Sequence, residues 1–154
     1  MSLIAKLLLP ANIFLDADLG GKRQLFEKIG LLMEQNHGLP HDFITRGLLR
    51  REKAGSTGLG QGVAIPHARF NGLAQTQALY LRPRQPMPFN APDGMPVTDI
   101  LVLLVPEPAS NEHLEILAEA ARLFSDADFR ARLRACTDAA EVIGLFGAWT
   151  APQG

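Results

Sequence analysis

A single histidine, His67, follows the most glycine-rich stretch of the sequence. That stretch places four glycines within eight residues, at Gly55, Gly58, Gly60 and Gly62. Glycine adopts backbone conformations closed to other residues and lets backbone N–H groups approach a ligand closely. An imidazole beside an amide-rich loop is suited to handling an anion.

The residues between the glycines and the histidine indicate how the imidazole is held. Val63-Ala64-Ile65 is a short apolar run typical of a buried strand. Pro66 disfavours the helical region for Ile65, so the chain is expected to run extended into His67. This predicts a histidine fixed at the end of a short strand.

Two other residues can converge on His67. Arg51 lies at the end of a predicted helix, just before the glycine loop, and His113 lies in the first turn of a helix that follows a predicted central strand. Ligands of open α/β sheets bind outside strand ends, and a helix N-terminus favours an anion. We therefore expect the three side chains to share one site.

Phosphoryl acceptance matches this set of residues. The nucleophile has to be a neutral imidazole nitrogen, which histidine provides near pH 7, and the transferred group carries charge on three oxygens. An arginine supplies two donors in fixed geometry, and loop amides supply more. We expect those amides to come from Ser56, Thr57, Gly58, Gly60 and Gly62. This chemistry needs no metal or cofactor.

Other interpretations of these residues remain open. Taken alone, His113 is typical of a cap or surface histidine, and the glycines are compatible with a surface loop. A metal site of His67, His113 and a carboxylate is possible, but neither histidine has a ligand partner at i, i+4 spacing. Ser56 lacks a Gly-x-Ser-x-Gly elbow, Cys136 lies among helical arginines and alanines, and no Gly-Lys-Ser/Thr closes the loop as in a Walker A motif.

The pattern of elements predicts an α/β fold, a three-layer sandwich whose mixed parallel/antiparallel sheet is flanked by helices. Residues 100–105 form an unbroken apolar run, typical of a central strand covered on both faces. Helices are predicted at 22–36, at 41–51 and from about 111, followed by two short ones capped by Asp126 and Asp138. Residues 68–73 are predicted to turn. The predicted buried faces are Phe43, Ile44 and Leu48 in the second helix and Leu114, Leu117, Ala118, Ala121 and Phe124 in the third.

Size and composition bound the class of protein. The 154 residues, 47% apolar and 20% charged, predict one globular domain over 1–149 with a flexible tail at 150–154. A net charge of −1 without a basic stripe argues against nucleic acid. One cysteine excludes an internal disulfide. We expect no signal peptide, and no apolar run in this sequence approaches the length of a membrane span. We expect a cytoplasmic protein.

The stretch from Arg51 to His67, REKAGSTGLGQGVAIPH, resembles the phosphotransferase-system (PTS) enzyme IIA domain of the fructose/mannitol type. Asn111-Glu112-His113-Leu114 is similar to that family's second histidine motif, and the likeness runs from about Leu3 to Trp149. The family often has glycine after its active histidine, where this chain has Ala68 followed by Arg69. Arg69 can add a positive charge at the rim of the site.

The resemblance implies a phosphoryl carrier. It implies that His67 accepts phosphate at Nε2 from a histidine-phosphorylated carrier of the HPr or NPr type, as a phosphotransferase with a phosphohistidine intermediate. His113 and Arg51 are implied to line the same pocket. The family fold is a mixed sheet flanked by helices.

The branch of the family is a further inference. A free-standing domain with the Arg-Glu-Lys-x-Gly-Ser-Thr-Gly loop resembles the nitrogen-regulatory branch, whose members control target proteins by their phosphorylation state. One alternative is a sugar-specific EIIA that passes phosphate to an EIIB during fructose or mannitol uptake. A second alternative is a binding module without phosphoryl chemistry.

Overall fold

The computed structural model describes residues 2–108 and 110–150. The helices are α1 (Leu3–Leu7), α2 (Lys22–His37), α3 (His41–Ala54), α4 (Asn111–Ser125), α5 (Ala127–Ala135) and α6 (Ala139–Ala148). The strands are β1 (Ile13–Ala17), β2 (Gly58–Gly60), β3 (Val63–Ala64), β4 (His67–Phe70), β5 (Gln77–Pro83) and β6 (Asp99–Pro106). Of the predicted tail at 150–154, residues 151–154 lie outside the described part.

The apolar run at 100–105 forms β6, the central strand of a six-stranded mixed sheet. On one side, β5 pairs antiparallel with β6, and β1 pairs parallel with β5. On the other side, β3 and then β4 run parallel to β6, one after the other, and β2 pairs antiparallel with β3. In the described part of the chain no strand covers the outer edge of β4, and this leaves a gap in which a site can form.

Helices cover both faces of the sheet. One core holds the apolar faces of α2 and α3, with Phe26, Ile29, Ile44 and Leu48 among its members. The other core holds α1, α4, α5 and α6, with Ile116, Phe124, Leu133 and Phe146 among its members. Burial of these two helix layers on one sheet gives the predicted three-layer α/β sandwich.

Several predicted ends of helices are confirmed. Gly38 ends α2 in the left-handed conformation, with φ of 69°. The Asp126 carboxylate accepts hydrogen bonds from the first amides of α5, and Asp138 caps α6 in the same way. Gly38 thus ends α2, and the two aspartates fix the residues at which α5 and α6 begin.

Three sequence predictions around the site are wrong. Residues 67–70 form β4 instead of a turn, because each pairs with a residue of β6. The side chain of Phe43 is 42% exposed instead of buried. On α4 only Phe124 of the predicted face is buried; the other buried residues are Ile116, Glu119, Ala120 and Leu123, and Leu114 is 62% exposed.

Across residues 2–108 and 110–150, no helix has the length and apolarity required to cross a membrane.

Candidate active site

The His67 side chain is fixed by its own backbone. His67 is the first residue of β4, directly after Pro66, and its Nδ1 atom lies 2.7 Å from the carbonyl oxygen of Ile65. A carbonyl oxygen can only accept, so Nδ1 carries the proton and donates it. The other ring nitrogen, Nε2, is therefore left with a lone pair. This is the tautomer that a nucleophilic Nε2 requires.

The surroundings of His67 keep its imidazole neutral. Burial lowers the pKa of His67, and the positive charges of Arg51 and Arg69 lower it further. The hydrogen bond to Ile65 and the negative charge of Glu52 raise the pKa and oppose this shift. The net direction is downward, so Nε2 is unprotonated at neutral pH and available for attack.

His113 shows the opposite tautomer. It occupies the third position of α4, where its Nδ1 accepts a hydrogen bond of 2.9 Å from the backbone N–H of Ser110, the N-cap residue. This is the role that glutamate plays in a capping box. An N–H can only donate, so Nδ1 is the acceptor and the proton of the neutral ring resides on Nε2. His113 is thus both a cap and a hydrogen-bond donor.

Arg51 lies in the last turn of α3, which extends to Ala54, three residues beyond its predicted end. Its Nη1 atom donates a hydrogen bond of 2.8 Å to the carbonyl oxygen of Gly55. A guanidinium has five N–H donors, so this bond leaves others free. Arg51 therefore ties the helix end to the glycine loop and still presents positive charge.

These three side chains line one open cleft of 470 Å³ between α3, β4 and the first turns of α4. Arg50 and Arg69 also line the cleft, together with several apolar residues. The remaining lining residues are Gly47, Ala54, Ala68, Val105, Leu114 and Leu117. One nucleophilic nitrogen thus shares a cleft with three arginines and a second histidine, an arrangement suited to receiving a polyanionic group.

The glycine loop does not line this cleft. Ser56, Thr57, Gly58, Gly60 and Gly62, from which we expected phosphate-binding amides, are absent from its lining. The Ser56 hydroxyl donates to the carbonyl of Phe89 at 2.7 Å and accepts from the N–H of Gly58 at 3.1 Å. Gly60 and Gly62 have φ of 92° and 79°, which serve the reversal between β2 and β3.

Glu52 is a functional candidate that sequence reasoning missed. Its buried carboxylate accepts hydrogen bonds from the backbone N–H and the hydroxyl of Thr57 and lies 3.3 Å from Nζ of Lys22. It therefore holds the loop against α3, next to Arg51. The only signal in the sequence was the spacing of five residues between Glu52 and Thr57. The burial of the Glu52 carboxylate could not be predicted from that spacing, because it depends on α2, which supplies Lys22.

Arg50, one residue before Arg51 on α3, also lines the cleft. His37 and His41 are on the surface, where His41 pairs with Glu34 at 2.7 Å. No group of three or more His, Cys, Asp or Glu side chains in the described residues is placed to hold a metal ion.

Comparisons of the sequence and the structure with known proteins agree on one family. The sequence model of the "Phosphoenolpyruvate-dependent sugar phosphotransferase system, EIIA 2" family matches residues 6–148. A nitrogen regulatory protein of Pseudomonas aeruginosa is 39% identical over 139 residues, which are 88% of this chain and 89% of that protein. One of Bradyrhizobium diazoefficiens is 35% identical over 142 residues, 92% of this chain and 93% of that protein.

A solved structure gives the same result. The crystal structure of nitrogen regulatory protein IIA-Ntr from Neisseria meningitidis is 47% identical, with a TM-score of 0.89, and covers 94% of this chain and 99% of that one. The chain therefore belongs to the EIIA type-2 family of the phosphoenolpyruvate-dependent phosphotransferase system.

Proposed function

We propose that this protein is a regulatory phosphoryl carrier that accepts phosphate on Nε2 of His67 from a phosphohistidine carrier of the HPr or NPr type. The observation that carries the proposal is the hydrogen bond between Nδ1 of His67 and the carbonyl of Ile65, which leaves the Nε2 lone pair free. The cleft around that nitrogen supplies His113 and Arg51 as donors. His67 is the catalytic residue in this proposal.

The transfer step balances without an external acid or base. The Nε2 lone pair of His67 attacks phosphorus while the bond between phosphorus and the donor's ring nitrogen breaks. The electrons of that bond stay on the donor, which leaves as a neutral imidazole with its proton on its other nitrogen. His67 becomes a phosphoimidazolium whose Nδ1 proton is held by Ile65. Bonds of the same kind are broken and formed, so transfer is readily reversible.

Positive charge and N–H donors favour the transition state over the free reactants. Charge spreads over three phosphoryl oxygens during transfer. The Nε2–H of His113 and the free N–H groups of Arg51 are among the donors that line the cleft. Preorganised donors of this kind are each worth on the order of 3 kcal/mol of barrier.

A regulatory role is favoured over sugar transport by the relatives. The proteins reported above at 35–47% identity are nitrogen regulatory proteins by name. In this role the phosphorylation state of His67 would decide which target protein is bound. A sugar-specific EIIA that passes phosphate to an EIIB uses the same cleft chemistry and is the second candidate.

Phosphorylation in a reconstituted cascade tests the proposal. The protein is mixed with phosphoenolpyruvate, enzyme I and an HPr- or NPr-type carrier, and phosphate is located by mass spectrometry under non-acidic conditions. We expect acid-labile phosphate on His67, and no uptake by a folded His67→Gln variant. Absence of uptake from both carrier types would favour the binding-module alternative, and subsequent transfer to an EIIB would favour sugar transport.

A further inference from the structure

A second depression adjoins the candidate active site. It has a volume of 450 Å³ and lies between the exposed side of α3 and the end of β4. We call it the arginine groove and define it by Phe43, Arg46, Gly47, Arg50, Arg69 and Phe70. The groove shares Gly47, Arg50 and Arg69 with the cleft, so the two depressions form one continuous surface.

Close packing of α3 against β4 forms this surface. A Cβ atom on Gly47 would meet Cε1 of Phe70 at 2.4 Å, so only glycine allows this approach. The buried Phe70 ring in turn supports Phe43 in an edge-to-face contact with ring centroids 5.6 Å apart. Phe43 remains 42% exposed, which gives the groove an aromatic wall.

The groove is cationic although the chain as a whole carries a net charge of −1. Three arginines line it against two carboxylates, Asp42 and Glu107. Arg46 lies 3.8 Å from Asp42, with both side chains well exposed. In the described part of the chain Arg50 and Arg69 form no ion pair. Their charges are therefore free to attract an anionic partner.

We propose that the arginine groove docks the protein that donates the phosphoryl group, through an acidic face that carries an apolar side chain against Phe43. This inference rests on the proposed function. A donor phosphohistidine can reach Nε2 of His67 only if its protein covers the open cleft, and the groove is the continuation of that cleft. An acidic face complements the arginines, and aromatic and arginine side chains are the ones that anchor protein interfaces.

Charge reversal at Arg46 is the sharpest test because this residue lines the groove and not the cleft. Its side chain is 75% exposed, so the fold should tolerate the change. The matched control is Arg132, which is 68% exposed and pairs with Asp128 four residues before it, as Arg46 pairs with Asp42. Arg132 lies on α5, in the opposite helix layer.

The experiment measures initial rates of phosphoryl uptake against the concentration of an HPr- or NPr-type carrier charged by enzyme I and phosphoenolpyruvate. We expect Arg46→Glu to raise KM about tenfold at low salt, with kcat nearly unchanged and the effect much reduced at ~0.5 M salt. Arg132→Glu should match the wild type. Asp42→Asn should lower KM, because it removes negative charge from the groove.

Phosphoramidate, a small phosphoryl donor that needs no docking surface, separates this inference from the proposed function. All variants should be labelled on His67 by phosphoramidate at the wild-type rate. An unchanged or lowered KM for Arg46→Glu, or an equal rise for Arg132→Glu, would overturn the docking inference while leaving the carrier chemistry intact. Failure of the charged carriers to phosphorylate His67 in the wild type would overturn the proposed function, and the docking inference with it.

Discussion

The glycine loop and the cleft are joined in sequence but use their polar groups in opposite ways. In the loop those groups are occupied by the protein itself: Thr57 donates to Glu52, Ser56 donates to the carbonyl of Phe89, and the N–H of Gln61 donates to Asp93. In the cleft, the donors of Arg50 and Arg69 and the Nε2 of His67 face open space. The polar groups of the glycine loop are thus engaged within the protein, whereas those of the cleft residues remain available to bind a ligand.

This division predicts that loop variants lose stability and that cleft variants lose transfer. The largest effect on stability is expected for Glu52→Ala, which strands the buried N–H of Thr57 and removes the partner of Lys22. We expect a loss of about 3 kcal/mol in the free energy of unfolding, measured by urea denaturation. Glu115→Ala, an exposed change on α4, is the control. Equal unfolding midpoints for the two variants would contradict the prediction that Glu52 stabilises the glycine loop.

Arg51→Lys should show the reverse behaviour. The change keeps the positive charge but removes the planar fork of donors, so we expect transfer at saturating donor to slow about tenfold. The hydrogen bond to Gly55 is partly exposed, and its loss should cost less than ~1 kcal/mol of stability. Normal phosphoryl transfer combined with a large loss of stability would instead assign Arg51 a structural role.

His113 belongs to both regions, and two substitutions separate its roles. His113→Ala should lose about 1 kcal/mol of stability through the missing cap and should also slow transfer. In a His113→Asn variant the side-chain amide oxygen can still accept from the N–H of Ser110, but the donor at the Nε2 position is missing. We expect this variant to keep wild-type stability, measured by thermal unfolding, and to transfer as slowly as the alanine variant. Normal transfer by the asparagine variant would make His113 purely structural.

The smallest effect concerns the pKa of His67. Arg69 is one of the charges that lower it, so Arg69→Gln should raise the pKa, measured by NMR titration of the imidazole.

The lowered pKa of His67 also means that the folded state binds fewer protons than the unfolded state as pH falls through the ordinary histidine value of ~6.5. His67 therefore destabilises the fold on acidification, and Arg69→Gln should weaken that contribution. A downward shift would contradict the assigned electrostatics.

The periodicity of apolar residues correctly predicted those helices and strands whose formation depends mainly on local sequence. The helix predicted at 22–36, the strand predicted at 100–105 and the start of a helix near residue 111 are confirmed. The wrong predictions concern burial that is decided by tertiary contacts. Apolar residues on α4 form two overlapping stripes, and only contact with the sheet decides that Ile116 is buried and that Leu114 is exposed.

The convergence of three residues in the candidate site was predictable, but the boundary of the site was not. His67, His113 and Arg51 follow from residue type and position, and the structure places them along one cleft. The exclusion of the glycine loop could not be predicted, because it depends on a buried bond between Thr57 and Glu52. The inclusion of Arg69 depends on β4 pairing with β6, where the sequence predicted a turn.

The most direct measurement is the position of phosphorus on the imidazole. The protein is phosphorylated with phosphoramidate and studied by 31P and 15N–1H NMR, which distinguish the two ring nitrogens of each histidine. Because the carbonyl of Ile65 holds Nδ1 of His67, the account predicts phosphorus on Nε2 of His67, with the Nδ1 proton retained. Phosphorus on Nδ1 of His67, or on His113, would contradict it.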